Sequence, residues 1–321
     1  MRGFGTHEPS SRNHPNAEQL SMGWEQIPSN PWHKGAEVPI GSRKTIVHGE
    51  WISKNFPSLG VFIARSSRIA QSLELIRAVQ DKTAGTPHES DVMEAERTIH
   101  EFYFIGRTLL AFPRFCNETV QTKLQSSIDG NVDSRQDRNH EARNTQSELF
   151  HFCVLIHADF LPELAEPDIR FRFAGEVFGC AVKRMNTTSD SKMRSRFKQA
   201  IKQIRRSGIR GFVCIDVDFR LSSMSEPLDS FVAHERGHQF DAAIAHLFGV
   251  HGERSVEPAY CGSFVVGLAR SDSGVTGPIH VAAYYQKIVV FEDTFADPSL
   301  ADAFQSALQR GYNAFLNIGA S

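Results

Sequence analysis

The sequence predicts an α/β protein, with a mixed central sheet flanked by helices and preceded by a small helical module. Three observations carry this. From about residue 140 to 290 the texture alternates as αββαβαββ with short connections, the pattern of helices laid against a sheet. From about 60 to 130 apolar residues instead recur at helical spacing. Between the two lies a polar, charged segment, SSIDGNVDSRQDRNHEARN, that reads as a boundary. The expected division is a disordered tail over 1–42, a helical module over 43–135, an α/β domain over 136–295 and a C-terminal helix over 296–321.

Each element has its own signal. The tail is rich in Pro, Ser, Asn, His and Gly and has no period, although Trp24 and Trp32 could dock it on the folded body. Ile63, Ile69, Leu73 and Ile76 mark a first helix. A second opens near Ser90, a cap candidate, and ends at Pro113. This module reads as a packing platform, with a homodimer through it as one use. A helix over about 140–158 then leads into the hairpin DIRFRFAGEVFGCAVKR, with Gly175 in its turn. The helix SDSKMRSRFKQAIKQIRRS passes through Gly208 and Gly211 into the strand GFVCIDVDF. A further helix is expected over about 226–248, then two strands, SFVVGLARSD and IHVAAYYQKIVVF.

Bulk properties exclude more than they identify. The chain has 321 residues, 40% hydrophobic and 22% charged, long enough to bury a real core. A formal net charge of −2 gives no global pull toward nucleic acid or membrane, so any electrostatic attraction must be local. The 5 cysteines are far apart, form no C-x-x-C pair and sit mostly in apolar runs, which reads as buried fillers in a reducing compartment. The first residues, MRGFGTHEPSSRNHPN, lack the apolar stretch of a signal peptide. No run approaches the roughly 18 apolar residues a membrane helix needs. The expectation is a cytoplasmic protein without membrane contact. No P-loop, dinucleotide-binding glycine fingerprint or G-x-S-x-G elbow is present.

Phosphodiester cleavage at neutral pH needs a divalent metal held by carboxylates, an activated water and a cation for the charge developing on phosphorus. Glu148 on the 140–158 helix, Asp168 after Pro167 at the start of a strand, and Lys183 near the end of the next could meet at one end of a sheet to supply these. The order of helix Glu, Pro-Asp, hairpin ending in Val-Lys-Arg, basic helix and apolar strand resembles the PD-(D/E)XK, or restriction-endonuclease-like, nuclease superfamily. The resemblance covers roughly residues 140–220. It implies that Asp168 binds Mg²⁺ or Mn²⁺, that Glu148 binds it directly or through water, that Lys183 activates water, and that Gln203 helps position the site. The substrate would be DNA or RNA.

One position departs from the pattern. The carboxylate the family carries two residues before its lysine would be residue 181, here Ala181. Glu176 has the wrong strand parity to replace it without a bulge, which leaves Asp216 and Asp218 on the next strand as other donors. Without a second carboxylate the same fold reads as a nucleic-acid binder that has lost catalysis. Local charge agrees with either use: Lys183, Arg184, Lys192, Arg194, Arg196, Lys198, Lys202, Arg205, Arg206 and Arg210 are accompanied by a single acid, Asp190. Arg184, Lys192, Arg194, Lys198, Lys202 and Arg206 are the expected phosphate contacts. The bland alternative is a solvated basic helix balanced by acids elsewhere.

A rival motif lies at His234-Glu235-Arg236-Gly237-His238, which satisfies H-E-x-x-H and resembles the active helix of zincin metallopeptidases. His234 and His238 would hold zinc and Glu235 would be the base. The position of a third histidine is Ile244, and Arg236 places a cation between the ligands. The histidines therefore read more simply as polar positions beside an apolar stripe.

Overall fold

A computed structural model describes residues 33–39, 43–81, 89–132, 140–184, 189–216, 262–273, 279–290, 295, 297 and 299–318. The expected 226–248 helix, with His234 and His238, lies outside them. The described elements are β1 (His33–Pro39), α1 (Arg43–Asn55), α2 (Arg68–Gln80), α3 (Glu89–Ala111), α4 (Glu118–Ser127), α5 (Glu141–His157), β2 (Glu163–Ala165), β3 (Asp168–Phe173), β4 (Glu176–Arg184), α6 (Asp190–Ser207), β5 (Arg210–Asp216), β6 (Gly262–Ser273), β7 (Ile279–Val290) and α7 (Ser299–Leu316). No helix among the described residues is long and apolar enough to cross a membrane.

The strands form one mixed sheet in the order β1-β7-β6-β5-β4-β3-β2. β2, β3 and β4 meander antiparallel, β4 and β5 run parallel through the α6 crossover, and β5 and β6 are again parallel. Ala174 and Gly175, both at positive φ, close the β3–β4 hairpin where the sequence places its turn. Gly208, at φ 70°, ends α6 as a left-handed cap.

Strand parity sorts the residues of β3–β5 onto two faces. Phe171, Phe178 and Phe212 share one, and Phe212 stacks on Phe304 of α7 with ring centres 4.4 Å apart. Each buried phenylalanine of this stack contributes about 1.5–3 kcal/mol of apolar burial. On the opposite face α6 covers the sheet with Phe197, Ala200 and Ile204, so that Lys192, Lys198, Lys202, Arg205 and Arg206 are turned outward.

The structure corrects the sequence reading at four places. His33–Pro39, placed in the tail by composition, is an edge strand antiparallel to β7. β2 is a strand that the alternating texture does not announce. Ser90 lies inside α3, which begins at Glu89, and Pro113 follows its end as expected. The boundary near residue 136 does not separate two cores, because one cluster joins Ile52, Phe102 and Leu124 of the module to Phe150, Ile169 and Phe315. The stripe Ile69, Leu73 and Ile76 is buried within the chain, and among the described residues Val47, Phe62 and Leu110 are the module's exposed large apolar residues. Cys153, Cys180 and Cys214 are buried and free, as fillers should be.

The module also holds a buried polar cluster. Thr45 donates to Glu96 (2.8 Å), His48 and His100 pair through their Nδ1 atoms (2.9 Å), and His48 stacks on Tyr103. Burial, then the His100, Lys44 and Arg107 charges, lowers the His48 pKa to about 3, and burial lowers that of His151 to about 4. Both lie below the unfolded value of 6.5, so as pH falls below that value the unfolded chain binds protons that the folded chain refuses. Stability is therefore expected to fall from pH 7 toward pH 4. Urea midpoints should drop over that range, and His48→Phe should flatten the slope; an unchanged slope would remove His48 as a cause.

Candidate functional site

The hairpin register sets the site. Ile169 pairs with Cys180, so one step further Asp168 lies beside Ala181 and on the same face as Lys183, two residues along β4. Lys183 Nζ donates to Asp168 Oδ2 at 3.0 Å, and the Val182 backbone N–H donates to the same oxygen at 2.8 Å. Gln203, on the α6 face above, donates from Nε2 to Asp168 Oδ1 at 2.7 Å and also contacts the Pro167 carbonyl. Close approach of Pro167 to β4 depends on Gly179, where a Cβ would meet the proline Cδ at 2.7 Å. Glycine at 179 thus lets the Pro-Asp turn lie flat and hold Asp168 against Lys183.

Glu148 is brought by α5 and is ion-paired to Lys123 of α4. Its charge reaches Asp168. Burial raises the Asp168 pKa to about 6, Lys183 opposes the rise, and Glu148 adds to it. Burial and the Glu148 charge thus disfavour the Asp168 anion, a state that a divalent cation would relieve. Asp168, Glu148 and Lys183 keep only 13%, 15% and 16% of their side-chain surface exposed.

Among the described residues no group of three or more His, Cys, Asp or Glu is placed to hold a metal ion. A two-carboxylate donor set still suits Mg²⁺ or Mn²⁺, which keep several waters and take one or two carboxylates together with substrate phosphate oxygens. The residues present therefore fit such an ion, though not a closed all-protein cage.

The alternative second carboxylates are not at this place. Ala181 is fully buried. Glu176 is exposed at the hairpin end and pairs with Arg210 (3.4 Å). Asp216 has the opposite parity to Lys183 and accepts from Arg97 at 2.6 Å and from Ser147 at 3.3 Å. Asp218 lies outside the described residues.

Arg184 requires a correction as a phosphate contact. One residue past Lys183, it turns to the other face, is 7% exposed, and sits between Glu94 (3.4 Å) and Asp216 (3.8 Å). Lys192, Lys198, Lys202, Arg205 and Arg206 are exposed along α6. Arg205 belongs to the basic run but is not among the contacts expected from the sequence. The Arg194 side chain is outside what is described. Lys123 escapes sequence reasoning as well, because a lone lysine on a helix carries no motif.

Comparison with protein-family models, with curated proteins and with solved structures yields no match. The reading of the site therefore stands on its residues.

Proposed function

We propose that this chain is a metal-dependent phosphodiesterase acting on DNA or RNA, built on a restriction-endonuclease-like α-β-β-β-α-β unit from α5 to β5. The observation that carries the reading is the meeting of Asp168, Lys183 and Gln203 from two strands and a helix, with the Glu148 charge of α5 acting on Asp168. The antiparallel β2–β4 meander, followed by a parallel crossover, supports the same fold.

In this reading Asp168 and Glu148 hold Mg²⁺ or Mn²⁺, which would polarise the phosphate and lower the pKa of a bound water. Lys183 places a cation where charge develops on phosphorus and can orient the attacking water. Gln203 fixes the Asp168 carboxylate in plane, and the exposed cations of α6 track the backbone beside it.

Incubation of the purified chain with single- and double-stranded DNA and RNA is expected to give cleavage with Mg²⁺ or Mn²⁺ and none with EDTA. Replacing Lys198, Lys202 and Arg206 together with Gln is expected to weaken binding and flatten its salt dependence. The log–log slope should fall by about 0.9 for each duplex-DNA phosphate that is no longer neutralised. Absence of both binding and cleavage on every substrate would reject the proposal.

A second reading, a binder of the same fold without catalysis, has one specific observation in its favour. Ala181 replaces a carboxylate while both Asp168 oxygens already accept protein hydrogen bonds. Salt-sensitive binding without cleavage under either metal would select it.

A further inference from the structure

We infer that Lys123, from the helical module, is a built-in competitor of the divalent ion at Glu148, so that the module completes the site and sets the metal concentration at which it fills. This inference rests on the nuclease reading above.

The structure holds two lysine–carboxylate pairs, Lys183–Asp168 and Lys123–Glu148, and the Glu148 charge acts on Asp168. Lys183 lies in β4, within the α-β-β-β-α-β unit, and holds Asp168. Lys123 lies in α4, outside that unit, and holds Glu148. α4 is firmly seated for this task. Asn117 caps it by accepting from the Val120 backbone N–H at 3.0 Å, and Val120 and Leu124 are buried in the shared core.

The two lysines differ in what a metal would do to them. Lys183 also donates to the Val182 carbonyl (2.9 Å), so it is held at two points and keeps an anchor when the Asp168 charge is shared. The Lys123 side chain is 34% exposed and carries its ammonium on a flexible four-carbon stem. A cation arriving at Glu148 takes over the carboxylate oxygen that Lys123 holds. The freed ammonium then remains beside the site, where a bound phosphate carries negative charge. The loaded state thus forms only by breaking the Lys123–Glu148 ion pair, and the resting state holds that carboxylate neutralised without a metal.

A helix-to-helix clip with no part in metal binding would make a different prediction. Its removal would lower stability and leave metal affinity unchanged.

The test is Mn²⁺ binding to the full chain without nucleic acid, read from the electron paramagnetic resonance signal of free Mn²⁺. Lys123→Met is expected to tighten binding about 3- to 10-fold, the range for loss of one partly exposed competing charge. Lys123→Arg is expected to restore wild-type affinity or weaken it. Glu148→Gln should weaken binding, and Lys123→Met added to it should change nothing more, because the lysine acts through that carboxylate. Unchanged or weaker affinity in Lys123→Met, with Asp168→Asn still abolishing binding, would overturn this inference alone. Wild-type protein that binds no Mn²⁺ dependent on Asp168 would overturn the nuclease reading and this inference with it.

Discussion

Asp168→Asn is expected to reduce metal-dependent cleavage by a factor on the order of 10³ or more while nucleic-acid binding survives. The carboxylate is the hub of the site, since Lys183, Gln203 and the Val182 backbone all converge on its two oxygens. An amide of the same shape keeps the Gln203 bond at one oxygen but supplies no charge to a metal or to Lys183. The fold should tolerate the change. The Asp168 pKa is raised from 3.8 to about 6, so at neutral pH the folded site holds an anion that it disfavours relative to the unfolded chain. That contribution favours folding below pH 3.8 and is lost as pH rises through about 6. Asn removes it, which offsets the acceptor lost to both Lys183 Nζ and the Val182 N–H at the second oxygen. The denaturation midpoint should stay at the wild-type value or rise, the mark of a residue kept for chemistry rather than stability. Wild-type cleavage rates in this variant would reject the site.

Much of the site could be read from the sequence because its elements carry strong local signals. The β3–β4 hairpin has alternating apolar residues around Ala174-Gly175, and α6 has a regular apolar stripe ending at a glycine cap. Asp168 and Lys183 then follow from register, since residues at even strand spacing share a face. The same parity excludes Arg184, and only its place in a dense charge run makes it look like a surface contact. Composition misleads at β1. HKGAEVP has no strand pattern, and its pairing is supplied by the β7 edge rather than by its own side chains. α1 is obscured by Gly49, a poor helix former that is present because Leu73 packs where its Cβ would be, at 2.6 Å. Glu148 is legible only through the order of elements around it. Its partner Lys123 depends on how α4 docks on α5, which no local pattern encodes.

Asp216→Ala should have the opposite signature to Asp168→Asn, a large loss of stability, about 3–5 kcal/mol, from breaking a buried ion network. Asp216 ends β5 on the face away from Lys183, with 3% of its side-chain surface exposed. It accepts from Arg97 Nη2 at 2.6 Å and lies 3.8 Å from Arg184 Nε. Arg97 also binds Glu101 (2.6 Å), Glu101 accepts from Gln146 (2.6 Å), and Gln146 accepts from Arg68 (2.5 Å). Removing Asp216 therefore leaves cationic charge in excess at a place with little access to water, and α3, α5 and the ends of β4 and β5 lose a common tie. Asp216→Asn keeps a hydrogen-bond acceptor without the charge and should fall between wild type and Ala. Denaturant midpoints measured at pH 7 on all three proteins provide the test. If Asp216 instead served as the missing second carboxylate of the metal site, Ala would relieve electrostatic repulsion, leave stability intact and abolish Mn²⁺ binding. A destabilised variant whose remaining folded fraction still binds Mn²⁺ assigns Asp216 to the network.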